Sequence, residues 1–138
     1  MLTPAPATVN EGGALTAIGR YVYAFRGGNS TAFWRYDTQA GTWDVLASTP
    51  SAVGAGGALT DDGRSIHALR GGSSTAFWQY AIGRDAWTAQ ADTPANVKSG
   101  GALAFDGTYV YGLPGQADSG FWRILPPSYF PASAKPRP

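Results

Sequence analysis

The chain of 138 residues has no cysteine and a single histidine. Without thiols it forms no disulfide and no thiolate metal site. A lone imidazole lacks the partners that catalytic triads and zinc centres require. The missing cysteine does not identify the compartment. Charged residues are 14% of the chain, against about a quarter in ordinary proteins, and the net charge is +1. With no long basic run either, a broad electrostatic grip on nucleic acid is excluded. No apolar stretch approaches the roughly 18 residues of a membrane-spanning helix, so no membrane partner is expected. The opening MLTPAPATVNEGG has neither a charged n-region nor an apolar h-region. No signal peptide is expected there, which leaves the cytoplasm as the default compartment.

What the chain has instead is glycine, aromatics and repetition. Glycine is 19 of 138 residues, about twice the usual share, and aromatics are 13%, enough for a real core. Gly12-Gly13-Ala14-Leu15 returns as Gly56-Gly57-Ala58-Leu59 and as Gly100-Gly101-Ala102-Leu103, a step of 44 residues. Phe33-Trp34, Phe77-Trp78 and Phe121-Trp122 keep that step, as do Pro6, Pro50 and Pro94, and Val9, Val53 and Val97. A period of this size marks an array of supersecondary units, none of which buries its own apolar surface.

One copy reads as four short strands. Gly13–Ala17 is a short apolar run. It meets Tyr21–Phe25 across Ile18-Gly19, whose equivalents Asp62-Gly63 and Asp106-Gly107 are strong hairpin signals. Tyr21–Phe25 is rich in aromatic and β-branched residues and ends at the turn cluster Arg26–Asn29. Ala32–Tyr36 and Thr42–Ala47 complete the copy, separated by the polar loop Asp37–Gly41. No window shows a helical recurrence of apolar residues. Four strands per copy is the layout of a propeller blade, so the expected class is all-β.

The segment YVYAFRGGNSTAFWRYDTQAGTW resembles a kelch repeat. The diglycines are Gly27-Gly28 and Gly71-Gly72 and the tyrosines Tyr36 and Tyr80. The tryptophans Trp43 and Trp87 stand 7 residues after those tyrosines. The resemblance implies one motif per blade of a β-propeller and a loop rim that receives a partner. It covers residues 6 to 125. The third copy departs from it: Gln116 follows Gly115, Ile124 replaces the tyrosine and Pro131 stands in the tryptophan's place. The expected organisation is a single repeat domain over 1–138, with blades at about 6–49, 50–93 and 94–130 and a proline-rich tail at 131–138. The degenerate outer strand of the third blade is a shortened substitute at Ser128-Tyr129-Phe130.

A blade packs on its neighbours through both faces, which explains Phe33 beside Trp34: successive strand residues point to opposite faces. The expected blade core is Phe33, Trp34, Trp43, Phe77, Trp78, Trp87, Phe121 and Trp122, with the tryptophans of one position equally buried. Three blades would leave an apolar face at each end, and propellers close with roughly four to eight blades. Two chains therefore close a six-bladed ring by homodimerisation. Met1–Ala5 aligns by period with Val45–Thr49 and is expected along the defective third blade, as a clasp closing the ring. The rival reading is a fragment of a longer propeller.

Few residues suggest chemistry. His67 replaces Tyr23 and Tyr111 in the period and reads as a packing residue. Asp62 and Asp106 read as turn residues. Asp61-Asp62 holds no repeated carboxylate ladder, so no metal site is expected. The glycines precede no helix and cradle no phosphate. The loop after the second strand and the segment leading into the first open on one rim. This gathers Glu11, Arg26, Asn29, Ser30, Arg70, Ser73, Ser74, Lys98, Ser99 and Gln116. Arg26 and Arg70 repeat at one position and suit a carboxylate-bearing peptide or small anion; the third blade carries Pro114 there. The expectation is a binding or scaffold module without catalysis or cofactor, whose partners are itself and a protein, peptide or small ligand. The alternatives are a sugar-binding propeller, a propeller-hosted enzyme, and an amplified or designed repeat with assembly as its only property.

Overall fold

The computed structural model describes residues 1–126. Eleven strands form three antiparallel sheets strung along the chain. The first joins β1 (Ala14–Ile18), β2 (Tyr21–Phe25), β3 (Phe33–Asp37) and β4 (Thr42–Val45) in sequence order. The second joins β5 (Ala58–Asp61), β6 (Ser65–Leu69), β7 (Phe77–Ala81) and β8 (Ala86–Ala89) in the same way, with a short 3-10 turn at Ile82–Arg84. The third joins β9 (Ala102–Phe105), β10 (Val110–Leu113) and β11 (Trp122–Ile124). The innermost strands β1, β5 and β9 neighbour one another, and Thr16 Oγ1 donates to Asp61 Oδ1 across the first gap at 2.8 Å. These are propeller-like blades laid side by side. The substitute strand expected at Ser128–Phe130, Pro131 and the tail 131–138 lie outside the described residues.

Alternation within each strand decides what fills the gaps. Tyr23, Phe25 and Phe33 leave one face of the first blade and meet Leu59, Ile66, Trp78 and Tyr80 of the second. Phe33 lies edge-on to Tyr80 and to Trp87, each 4.8 Å away between ring centres. Leu69 and Phe77 do the same between the second and third blades, against Val97, Val110 and Trp122. Trp34 turns to the other face of its sheet and packs against Trp43 at 6.1 Å; Trp78 packs against Trp87 at 5.9 Å.

The repeat positions are not buried equally. Phe33 is 0% exposed, Phe77 2% and Phe121 67%. Phe121 was expected in the core; it occupies the same position as the other two, but no blade follows the third within the chain. On the opposite end, Val9 is 54% exposed where Val53 and Val97 are 0%, and Leu15 is 66% exposed where Leu59 is 7%. Trp34 and Trp78 are buried, whereas Trp122 is only half-buried and its indole N–H has no partner among the described residues. The equal burial expected of the three fails because the third copy has no outer tryptophan to cover Trp122. The indole instead lies over Gly112, where a Cβ would come within 2.2 Å of the ring. Trp43 and Trp87, both expected in the core, are half-buried in the outermost strand of their blades.

The leading segment lies along the first blade of its own chain: Thr3 Oγ1 donates to Gly41 O at 2.9 Å and Trp43 Nε1 donates to Thr3 O at 3.0 Å. The period alignment behind the expectation is reproduced, because Trp87 Nε1 donates to Ala47 O at 3.0 Å.

Candidate functional site

The rim expected from hairpin parity is present in all three blades. Gly28 N donates to Glu11 O at 2.7 Å, Gly72 N to Ala55 O at 2.8 Å and Gln116 N to Ser99 O at 2.9 Å. The same contact ties Asn10 N to Arg26 O, Gly54 N to Arg70 O and Lys98 N to Pro114 O, at 2.9–3.1 Å. Glycine is demanded where this approach is tightest. Gly27, Gly71 and Gly115 have φ of 70°, 68° and 79°, and a Cβ there would lie 2.4–2.5 Å from a carbonyl of the lead-in segment. At the centre, Glu11, Gly12, Ala55, Gly56, Ser99 and Gly100 line a shallow depression of about 190 Å³.

The candidate rim residues divide by what holds them. Asn29 and Ser73 adopt φ of 61° and 64° and donate their backbone N–H to Val53 O and Val97 O of the following blade, each at 2.9 Å. Ser30 O and Ser74 O accept from Val53 N and Val97 N. Their backbones are joints between blades. Arg26 Nε donates to Thr8 O at 2.9 Å and Arg70 Nε to Ala52 O at 2.9 Å, so each guanidinium braces the lead-in segment of its own blade. Neither pairs with a carboxylate among the described residues. Glu11, Lys98, Ser99 and Gln116 are exposed.

A second polar cluster is closed to solvent. His67 Nε2 and Asp62 Oδ2 are 2.8 Å apart, and both side chains are 0% exposed. Asp62 Oδ1 accepts from Arg64 N and Ser65 N, so the acid caps the hairpin from the position before Gly63-Arg64 instead of standing in the turn itself. The imidazole stacks on Phe77 at 6.1 Å, and its Nδ1 has no partner among the described residues. The third blade repeats the arrangement with tyrosine: Asp106 Oδ1 accepts from Thr108 N and Tyr109 N, and Tyr111 donates its hydroxyl to Asp106 Oδ2 at 3.0 Å. Those backbone donors, Tyr109 first, hold the Asp106 carboxyl below the usual range. The sequence carried this signal in the shared five-residue spacing Asp62–His67 and Asp106–Tyr111. His67 is thus a repeat-position ring whose polar end meets a turn acid.

Sequence reasoning also missed Arg20–Asp37, a two-pronged ion pair with Arg20 Nε 3.0 Å from Asp37 Oδ1 and Nη2 on Oδ2. The guanidinium, with the N–H groups of Ala40 and Gln39, lowers the Asp37 carboxyl to about 2. Burial, then Asp85 accepting its hydroxyl, pushes Tyr80 well above the phenol range. Asp61 Oδ1 faces Thr16 while Asp62 faces His67, so the two adjacent acids diverge. Among the described residues no three His, Cys, Asp or Glu side chains are placed to hold a metal.

No protein-family model matches the chain. No curated protein matches it in sequence. In three dimensions it is similar to the structure of YjhT, with a TM-score of 0.70 and 18% identity over 80% of this chain. The match spans 35% of the YjhT chain, about a third of its length. The likeness establishes a β-propeller-type fold.

Proposed function

We propose that the chain is a non-catalytic half-propeller with kelch-like blades, in which two copies close a six-bladed ring that serves as a binding or scaffold module. The observation that carries this is the fate of equivalent residues. Phe33 and Phe77 are covered by a following blade, and Phe121 is 67% exposed; Val53 and Val97 are covered by a preceding blade, and Val9 is 54% exposed. One end face has the chemistry of the internal faces that lead, the other that of the faces that follow, so a second copy supplies what each lacks. Exposed Leu15 and Val45 extend the first face, and exposed Leu113 the second. The kelch-like reading draws support from the left-handed glycines Gly27 and Gly71, and from Tyr36 against Trp43 and Tyr80 against Trp87 at 5.1 and 5.0 Å.

Light scattering at micromolar concentration tests the assembly. Twice the 14.4 kDa chain mass is expected, and a stable monomer overturns the reading. A nine-bladed trimer would keep closure and change the count.

The rim is the proposed ligand face. Arg26 and Arg70 use Nε on their own lead-in segments and keep both terminal nitrogens clear of any carboxylate among the described residues, which suits an acidic peptide or small anion. Replacing both with Ala abolishes anion binding on this reading; unchanged affinity removes them from the site. The catalytic alternative has little to use: the Asp62–His67 pair is closed to substrate, and the lowered acids Asp37 and Asp106 are held by arginine and backbone groups.

A further inference from the structure

A short exit segment follows the outer strand of each of the first two blades, and the one at the first junction is held by two blades. After β4, Leu46 N donates to Phe33 O and Thr49 N to Thr31 O, both at 3.0 Å. After β8, Gln90 N donates to Phe77 O at 2.8 Å and Thr93 N to Thr75 O at 3.0 Å. The following blade grips the other side of the first segment: Trp87 Nε1 donates to Ala47 O, and Ala47 N donates to Asp85 Oδ1 at 2.9 Å. The strip is thus held by backbone bonds to its own blade and by side chains of the following one.

Met1–Ala5 reproduces one half of that device. Thr3 stands one period before Ala47, and Trp43 Nε1 donates to its carbonyl as Trp87 does to that of Ala47. Leu2 and Ala5 stand one period before Leu46 and Thr49. Their N–H groups have no acceptor among the described residues. The third blade holds the opposite half. Phe121 and Ser119 are the equivalents of Phe33 and Thr31, and their carbonyls have no donor among the described residues. Among the described residues, donors are left over at one end face and acceptors in matching register at the other.

We propose that Met1–Ala5 of one copy seals the third blade of a second copy, with Leu2 N donating to Phe121 O and Ala5 N to Ser119 O, while remaining anchored on Trp43 of its own chain. This rests on the two-copy ring proposed above and names the contact that closes it. The rival occupant of those acceptors is the chain's own 134–137, one period after Gln90–Thr93. One feature favours the leading segment. It already sits in the shared slot, with the Trp43 indole N–H spent on it.

The absence of cysteine gives a clean test. The double variant Ala5→Cys, Ser119→Cys places its thiols at opposite end faces of one chain, so oxidation links them only between copies. A covalent dimer on a non-reducing gel is the expected result. A chain that is dimeric by light scattering yet fails to cross-link overturns the clasp and leaves the ring standing. A cross-linked ladder beyond the dimer supports the clasp and overturns two-copy closure. A monomeric parent chain overturns both. Leu2→Pro and Ala5→Pro each remove a donor and are expected to weaken association about tenfold, with Ala5→Ser as the control that keeps the amide. Deleting residues 131–138 is expected to leave association unchanged. If the deletion weakens it and the prolines do not, the tail is the seal and the proposal falls.

Discussion

Three residues show how the repeat accommodates exceptions. Gly112 stands where the other blades have Ala24 and Ala68, and the Trp122 indole occupies the space of the missing methyl. Gly112→Ala should therefore destabilise the protein by about 1–3 kcal/mol, the cost of overpacking, although alanine is the residue of the other two copies. Thermal unfolding checks this, and an unchanged midpoint would mean that the indole moves aside freely. Asp62 carries His67 and two backbone N–H groups without solvent, whereas Asp61 carries Thr16 and Gly63 at the surface. Asp62→Ala should cost about 3 kcal/mol or more and Asp61→Ala about 1, because removing one partner of a buried pair strands the other. Equal losses by chemical denaturation would refute the burial argument. Asp37, lowered to about 2 by Arg20, stabilises the fold above the normal carboxylate pKa and loses that contribution as pH falls from about 4 toward 2. Asp37→Asn should flatten the stability–pH curve in that window and lower stability at neutral pH; an unaltered slope contradicts the pairing.

At the scale of the element, only the second blade has both faces of its sheet covered, so what a blade buries depends on its neighbours. Trp78 is 3% exposed between its own outer strand and the preceding blade, so Trp78→Ala should cost about 3–5 kcal/mol. Trp122 is half-buried and leaves its indole N–H without a partner among the described residues, so Trp122→Ala should cost distinctly less. Parallel urea titrations of the two variants decide the point, and equal losses would show that Trp122 is covered as fully as Trp78. The fourth strand was expected to run to Ala47. β4 ends at Val45 and β8 at the equivalent Ala89, although Leu46 N and Gln90 N still donate to Phe33 O and Phe77 O.

For the whole molecule, the residues Val9, Leu15 and Val45 on one side and Leu113 and Phe121 on the other are exposed, and in the proposed two-copy ring they would form one blade interface. Phe121→Asp places a charge in that interface and should return a dimeric chain to 14.4 kDa with its β-sheet circular dichroism intact. Retention of the dimer mass would place the contact elsewhere. Arg26 and Arg70 belong to this scale as well, since closure would bring four of them onto one rim. Replacing them should lower affinity for anionic peptides without changing the mass.

The sequence by itself determined the period, the strand content and the pairing of positions across blades. These follow from local chemistry: alternation fixes which face Phe33 and Trp34 take, and Gly27 and Gly71 fix where the chain must turn. It also placed Glu11 beside the Arg26 loop, because hairpin parity alone decides which loops share an end. Only the tertiary structure decided which equivalent residues are buried. Phe33, Phe77 and Phe121 are the same residue at the same position of the repeat, and their exposure differs because burial belongs to the neighbour as much as to the residue. The same holds for Asp62 and His67. Turn preference accounts for the acid and aromatic periodicity for the ring, but the sealed hydrogen-bonded pair exists only because a folded strand brings the two side chains to one face and the third blade shuts water out.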